Sequence, residues 1–450
     1  MTPVSDRPVN IVGGGLAGAL LAVLLARRGF AVDIYDRRPD PRQAASERGR
    51  SINLALAARG IAALERAGVM ERIRPLLITM RGRMIHSLAG ATQLQPYGQR
   101  QDEVIYSVSR ADLNRVLIEE AAQHPQVRLR FRQTCLAALP EAGALRFRDE
   151  DTGSECNVPI APTFATDGAG SAIRSSLARA GLISVREDHL DHDYKELTIP
   201  AERDGRHAME PHALHIWPRG GFMLIALPNV DGSFTATLFL ARSGADSFDS
   251  LSDPDRVRAL FQSQFAEAAQ LMPRLLEEFA THPQGQLGTV YTTPWHVGGG
   301  ILLLGDAAHA IVPFHGQGMN AAFEDCHVLD VLLDRHQSWE TLLADFSSAR
   351  LPDATAIAQM ALENYVEMRD TVLDPAYLRR KELAMELERR FPDRFIPRYS
   401  MVMFHPEISY AEALRRGIAQ GRILEDLDEW SAPGSIDFEL ARKLIAERLP

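Results

Sequence analysis

The amino-acid sequence predicts an α/β fold, and three glycine-marked strand ends predict it. The first belongs to a βαβ unit: strand (Val9 to Val12), glycine turn, helix (Leu16 to Arg28), Gly29, strand (Ala31 to Tyr35), then Asp36. Its glycines at 13, 15 and 18 fit G-x-G-x-x-G. The first makes a tight turn, the second lets the backbone approach a pyrophosphate, and the third lets helix and strand pack closely. Asp36 follows Gly18 by 18 residues, where a carboxylate can accept hydrogen bonds from a ribose. The second strand end lies in "TFATDGAGSAIRSSL", which places Asp167-Gly168 after an apolar run and Arg174 one or two turns into a helix. The third lies in "LLLGDAAHAIVPFHGQGMNAAFED", where a short apolar run reads as a strand in a covered sheet and ends on Gly305-Asp306. A helix then opens at Gly318-Met319-Asn320, with its N–H groups at the positive end of the dipole, so an anionic or strongly hydrogen-bonding group is expected there. A dinucleotide site in a Rossmann-like domain outweighs a bare glycine turn.

The segment from Pro8 to Ala26 carries no charge, as a signal peptide or membrane helix would. Gly13-Gly14-Gly15 interrupts it, and Asp6 stands where a signal peptide carries positive charge, so strand, turn and helix is the better reading. With 450 residues, 46% of them apolar, the chain can bury a large core over two or three domains. A net charge of -10 with no Lys/Arg block argues against nucleic acid as a partner. Cys135, Cys156 and Cys326 show no paired zinc or redox spacing, so no disulfide framework and no metal site is indicated, and a reducing compartment is expected. The stretch "ILEDLDEWSAPGSIDFELARKLIAERLP" is charged throughout and lacks the ~20 apolar residues of a spanning helix. No membrane anchor and a cytoplasmic location are therefore expected.

Between Arg81 and Tyr97, "RGRMIHSLAGATQLQPY" reads as two strands around a three-residue loop, Ala89-Gly90-Ala91. Pairing Leu88 with Thr92 then sets Arg83 opposite Tyr97, with both side chains on one face. "YSVSRADLNRVLIEEAA" starts a helix near Ala111, and strands and hairpins follow to about Asp151. Short β-like runs fill Tyr194 to Leu240, and Asp253 to Phe279 is helical in pattern. From Asp353 the chain is mostly helical, and "IAQMALENYVEM" sets Ile357, Ala361, Asn364 and Met368 on one apolar stripe. Asn364 interrupts that stripe, and an amide facing a core needs a partner from protein, water or ligand.

The three motifs in this order resemble the flavin-dependent aromatic hydroxylases, single-component monooxygenases that hold FAD and use a nicotinamide cofactor transiently. "RGRSINLALAARG", "YSVSRADLN", "PFHGQGMNAAFED" and the Arg83/Tyr97 pair narrow the resemblance to members acting on L-kynurenine. It covers most of the chain. It implies a Rossmann-like FAD-binding domain over 1–75, 101–180 and 285–345, a β-sheet substrate domain over 76–100 and 181–284, and a helical C-terminal region over 346–450. FAD contacts are implied for Gly13, Gly15, Gly18, Asp36, Arg37, Arg38, Arg110, Asp306 and the Gly318-Met319-Asn320 turn. Asp306 would serve the ribityl chain, and the following helix would point its N-terminus at the pyrimidine end of the isoalloxazine. Asp167 and Arg174 would contact pyrophosphate or nicotinamide. Two positions depart from the family: Asp36 stands where Glu is frequent, and Thr166 where a smaller residue usually precedes Asp-Gly.

The resemblance further implies L-kynurenine, NADPH and dioxygen as the reacting partners. A substrate carboxylate wants a planar two-donor cation, which Arg83 supplies, and the resemblance adds Tyr97, Asn364 and Tyr399 at that polar end. Phe314, His315 and Met368 are candidates for the cavity wall or reacting edge, with ordinary packing as the competing reading of each. The cofactor carries the hard step, so no Ser-His-Asp or paired-carboxylate constellation is required. Three rivals remain: a hydroxylase of another aromatic acid, a flavoprotein that has lost its reaction, and an NAD-dependent dehydrogenase. The last does not account for a Gly-Asp and helix unit so far downstream of the first motif.

Overall fold

The structure is a computed structural model that describes residues 8–43, 53–372, 374–430 and 436–449. Asp6, the first part of "RGRSINLALAARG" and part of the charged C-terminal stretch lie outside the described residues. The chain forms two compact units. The first comprises Met1–Ile78, Tyr106–Leu190 and Gln286–Thr355; the second comprises Thr79–Ile105, Asp191–Gly285 and Ala356–Pro450.

The first unit is built on a six-stranded sheet. Its order is His296–Val297, Ile301–Leu303, Thr163–Ala165, Val9–Val12, Val32–Asp36 and Val127–Phe131, parallel throughout except at the His296–Val297 edge. Val12 pairs with Ala165, and Ala165 with Leu303. That register brings all three glycine-marked strand ends side by side at the carboxyl edge of the sheet, with Asp36 ending the next strand, the place where open α/β sheets bind ligands. Helix Leu16–Arg27 is buried from Gly18 to Ala26, so its apolar character all round reflects cover on every side. It packs against helices Arg110–Gln123 and Gly318–Leu332.

Two of the three fingerprint glycines are required by the fold itself. Gly13 has φ +104, and a Cβ there would lie 2.4 Å from the Thr166 carbonyl oxygen. At Gly18 a Cβ would lie 2.0 Å from the Gly13 carbonyl, because helix and strand approach that closely. Thr166, the departure from the family pattern, donates its hydroxyl to the Gly13 carbonyl at 2.7 Å and so ties the second motif to the first.

The second unit carries, side by side, the strands Phe234–Ala241, Met223–Pro228, Ala213–Pro218, Gly82–His86 and Thr92–Pro96. Leu197, Trp217, Leu224, Phe234 and Leu238 share a core with Phe261, Phe265 and Phe279 of the helices that follow. The hairpin differs from its expected register. Arg83 pairs with Gln95 and His86 with Thr92, and Tyr97 donates its backbone N–H to the Arg81 carbonyl. The loop is Leu88-Ala89-Gly90, closed by Ser87 and Ala91, because Gly90 at φ +83 takes the left-handed last position of a three-residue hairpin loop rather than its centre. The slip is two residues, an even number, so Arg83 and Tyr97 keep the same facial parity.

The helical region expected over 346–450 clusters with this second unit from Ala356 onward. Helix Trp339–Val366 runs into a π-helical turn over Glu367–Thr371, a wider ring that recurs at functional sites. Leu387, Phe395, Ile423, Leu427 and Leu444 give the last helices a core of their own. Among the described residues no helix is long and apolar enough to cross a membrane.

Candidate functional site

The carboxyl edge of the first unit's sheet presents the residues expected to hold a cofactor. Gly15 has an ordinary extended backbone, φ -72 and ψ -168, and a Cβ there would meet only the Arg38 guanidinium, at 3.9 Å. Among the described residues no neighbour demands a glycine at this position, so an added side chain would meet open space on the side of the turn where a ligand is expected. The Asp36 carboxylate accepts from the Gly14 N–H at 2.7 Å and from Arg38 through its backbone N–H, Nε and Nη2. Burial opposes its charge, but the Arg38 bonds outweigh that and hold its carboxyl below the usual range. Arg38 is half-exposed at that pair, and Arg37 is exposed.

Arg110 is exposed and opens a helix capped by the Ser109 hydroxyl. One turn on, Asn114 donates to the Gly14 carbonyl at 3.0 Å, a buried clamp on the glycine loop that the sequence reading missed. Asp306 is exposed immediately after Gly305, whose φ of +61 makes the turn. Helix Gly318–Leu332 begins with amides that have no partner within the helix, as every helix start does. The Asn320 side chain is not available to a ligand. It donates to the Ala55 and Gly316 carbonyls, both at 2.8 Å, and accepts from the Ala57 N–H at 2.9 Å, so only its backbone can serve a cofactor.

Asp167 accepts from the Ala172 and Ile173 amides through Oδ2, while Oδ1 is buried with no hydrogen-bond partner among the described residues, and burial pushes its carboxyl up. Arg174 is a strut: it reaches the Ala307 and Ala169 carbonyls and Glu187. Phe314 and His315 are buried in a single 3-10 turn, Pro313–His315.

A buried charge cluster behind the Gly305 turn also escaped the sequence reading. Asp325, fully buried, accepts from the Gly305 N–H at 3.1 Å and from His309 at 2.6 Å. Arg350 joins Asp325 at 2.8 Å, Glu324 at 2.7 Å and Asp353 at 3.1 Å. Burial opposes the charge of Asp325, yet His309 and Arg350 hold its carboxyl below the ordinary range. Arg350→Met would remove the cation these three carboxylates share, and loss of one partner from a buried ion pair typically costs about 3–5 kcal/mol. Denaturant unfolding of the purified variant should show a loss of that size; a change under ~1 kcal/mol, the worth of a surface pair, would contradict it.

In the second unit the expected substrate residues do converge. Arg83 is buried; its Nη2 donates to Asn364 Oδ1 at 3.3 Å, and its guanidinium stands 5.0 Å from the ring centroid of Tyr399. Tyr97 stacks on Tyr399 with centroids 5.6 Å apart and an interplanar angle of 12°. Burial pushes the Tyr97 hydroxyl well above its ordinary value and Tyr399 up to about 12, so both phenols keep their protons at neutral pH and can donate. Asn364 donates to the Met368 sulfur at 3.2 Å, and Met368 is buried.

The residue that sequence reasoning missed here is Glu367. Its Oε1 accepts from Arg83 at 2.9 Å and from the Tyr377 hydroxyl at 2.8 Å. Burial works against its charge, but Arg83, Tyr377 and Lys381 together keep its carboxyl below the ordinary range. Lys381 itself is lowered to about 8 by burial and the Arg83 charge. The signal was present three residues after Asn364, but a glutamate at a helix end reads as solvated.

Comparison with known proteins bears directly on these sites. The FAD binding domain family matches residues 6–361, most of the chain. The chain is 48% identical to a kynurenine 3-monooxygenase of Xanthomonas axonopodis pv. citri (strain 306), over all of this chain and 98% of that protein. The chain belongs to the kynurenine 3-monooxygenase family. A relative of the same name from Myxococcus xanthus (strain DK1622) is 47% identical and aligns over 100% of this chain and 97% of its own length. Among solved structures, p-nitrophenol 4-monooxygenase PnpA from Pseudomonas putida DLL-E4 shares the fold at a TM-score of 0.65 and 15% identity, covering 97% of this chain and 100% of that one. The tetrameric form of 2-methyl-3-hydroxypyridine-5-carboxylic acid oxygenase does so at 0.64 and 19%, covering 83% and 95%. The family and the α/β FAD-binding fold expected from the sequence are thereby borne out, and the dehydrogenase alternative falls away.

Proposed function

We propose that the chain hydroxylates L-kynurenine to 3-hydroxykynurenine, using FAD, NADPH and dioxygen. The observation that carries the reading is the buried Arg83 guanidinium, ringed by Asn364, Tyr97 and Tyr399, in a chain 47–48% identical over its full length to proteins named for that substrate. When bound, FAD supplies the redox chemistry, taking a hydride from the nicotinamide and activating dioxygen. The residues present fit such a group. Gly15 leaves room for a pyrophosphate, Asp36 stands at the strand end where a ribose is met, and Asp306 with the first amides of helix Gly318–Leu332 offers an acceptor and donors.

This chain's residues then bind and orient. Arg83 takes the substrate carboxylate with two parallel donors, and the protonated phenols of Tyr97 and Tyr399 add neutral donors. Holding the carboxylate end fixes where the aromatic ring lies, and ring alignment governs oxygen transfer. The ring of kynurenine is already activated by its aromatic amine, so no side chain has to remove a phenolic proton. The free cysteines fit a reducing compartment such as the cytoplasm.

The test is NADPH oxidation by the purified FAD-loaded protein with and without L-kynurenine, with the product identified. Stimulated oxidation with 3-hydroxykynurenine formed is expected. No stimulation by L-kynurenine, with brisk stimulation by another aromatic acid, would overturn the substrate assignment.

A further inference from the structure

Glu367 has two oxygens, and both of its protein donors take the same one. Arg83 Nη1 and the Tyr377 hydroxyl converge on Oε1, while the side chain remains 25% exposed and, among the described residues, no hydrogen bond engages Oε2. Arg83 keeps its charge, and against the cost of burial Arg83, Tyr377 and Lys381 hold the Glu367 carboxyl below the ordinary range, so Oε2 is an anionic acceptor beside a cation. An α-amino acid presents the mirror of that arrangement. Its carboxylate and ammonium hang from one carbon, with nitrogen and oxygen roughly 3 Å apart. A ligand carboxylate seated on Arg83 therefore carries its ammonium into the immediate surroundings of that guanidinium, where it would be repelled unless an anion stood there. Glu367 stands 2.9 Å from Arg83.

The geometry points to Glu367 as the residue that selects an amino acid over a plain aromatic acid, its Oε2 receiving the substrate's α-ammonium while Arg83 receives the carboxylate. This rests on the kynurenine reading and deepens it. Arg83 alone recognises any aromatic carboxylate, whereas Arg83 with Glu367 recognises a zwitterion, so the discrimination comes from the pair. Asn364 and Met368, one helical turn apart, bracket Glu367 on the π-helical turn, which places its carboxylate on the Arg83 side of the helix.

The test compares L-kynurenine with its desamino analogue, 4-(2-aminophenyl)-4-oxobutanoate, by perturbation of the flavin absorbance in the holoenzyme. The wild type should bind L-kynurenine at least ~10-fold more tightly than the analogue, the lower end of what a close charge pair contributes. Glu367→Gln retains an oxygen for Arg83 and Tyr377 and should abolish that preference, weakening L-kynurenine while leaving the analogue unchanged or tighter. Glu367→Asp retains the charge and should restore most of the preference; FAD content and melting temperature report whether each variant is folded. Equal affinity of the wild type for both ligands would overturn the inference, as would an equal loss for both in Glu367→Gln, the pattern of a mere counterion to Arg83. A wild type that binds neither ligand would instead remove the kynurenine reading, and the inference with it.

Discussion

Arg83→Met should bind L-kynurenine at least tenfold more weakly while its FAD content stays at the wild-type level. The guanidinium is the buried cation of the second unit's site, and losing one side of a buried charge-assisted pair typically costs about 2–5 kcal/mol. The structure adds a second consequence, since Glu367 and Asn364 both lose their bond to Arg83. Tyr377 and Lys381 still face Glu367, so part of its charge remains compensated and the unit should fold. Tyr97→Phe removes a neutral hydroxyl and should cost less, about 1–3 kcal/mol if a buried acceptor is left unsatisfied. The assay measures NADPH consumed, hydrogen peroxide released and hydroxylated product. In Arg83→Met a misaligned ring should shift the balance from product to peroxide, because oxygen transfer depends on alignment. Unchanged affinity and unchanged coupling would remove the carboxylate site from Arg83.

What the sequence made legible and what it hid divide along physical lines. The βαβ unit, the Asp167-Gly168 turn and the Gly305-Asp306 turn are local signals, each a strand end followed by a glycine whose job is backbone geometry, and the sheet register set them in one row. Arg83 was legible because Tyr97 faced it across a short hairpin and the family resemblance marked both, although the hairpin register was two residues off. That slip turned on one dihedral, the positive φ of Gly90, which hydrophobic pattern does not report. Glu367 and the Asp325–Arg350 cluster were hidden for a different reason. Charged residues on helices are usually solvated, and their burial here is set by tertiary partners that local pattern does not report, such as Arg83 for Glu367 and His309 for Asp325. Asn320 shows the converse, a motif residue whose side chain the fold itself consumes.

Gly15→Val should give a folded but colourless protein, and the contrast with its neighbours makes the result specific. At Gly15 the backbone lies in a region any residue adopts, and the nearest atom to an added Cβ is the end of a flexible arginine at 3.9 Å. The apo variant should therefore unfold within ~1 kcal/mol of the apo wild type, as substitutions away from packed features do. Gly18→Val is the control for a structural glycine, since its Cβ would lie 2.0 Å from a backbone carbonyl, and it should impair folding whether or not FAD is present. Gly13→Val should do the same, with a contact of 2.4 Å and the added strain of a positive φ. If the second glycine of the fingerprint exists to let a pyrophosphate approach the backbone, then a side chain at 15 alone should separate cofactor binding from folding. The measurement is flavin absorbance per mole of protein, paired with denaturant unfolding of the apo forms. A Gly15→Val protein that keeps a full flavin spectrum would displace the pyrophosphate from this turn, and with it the roles proposed for Asp36 and the first amides of the helix that follows.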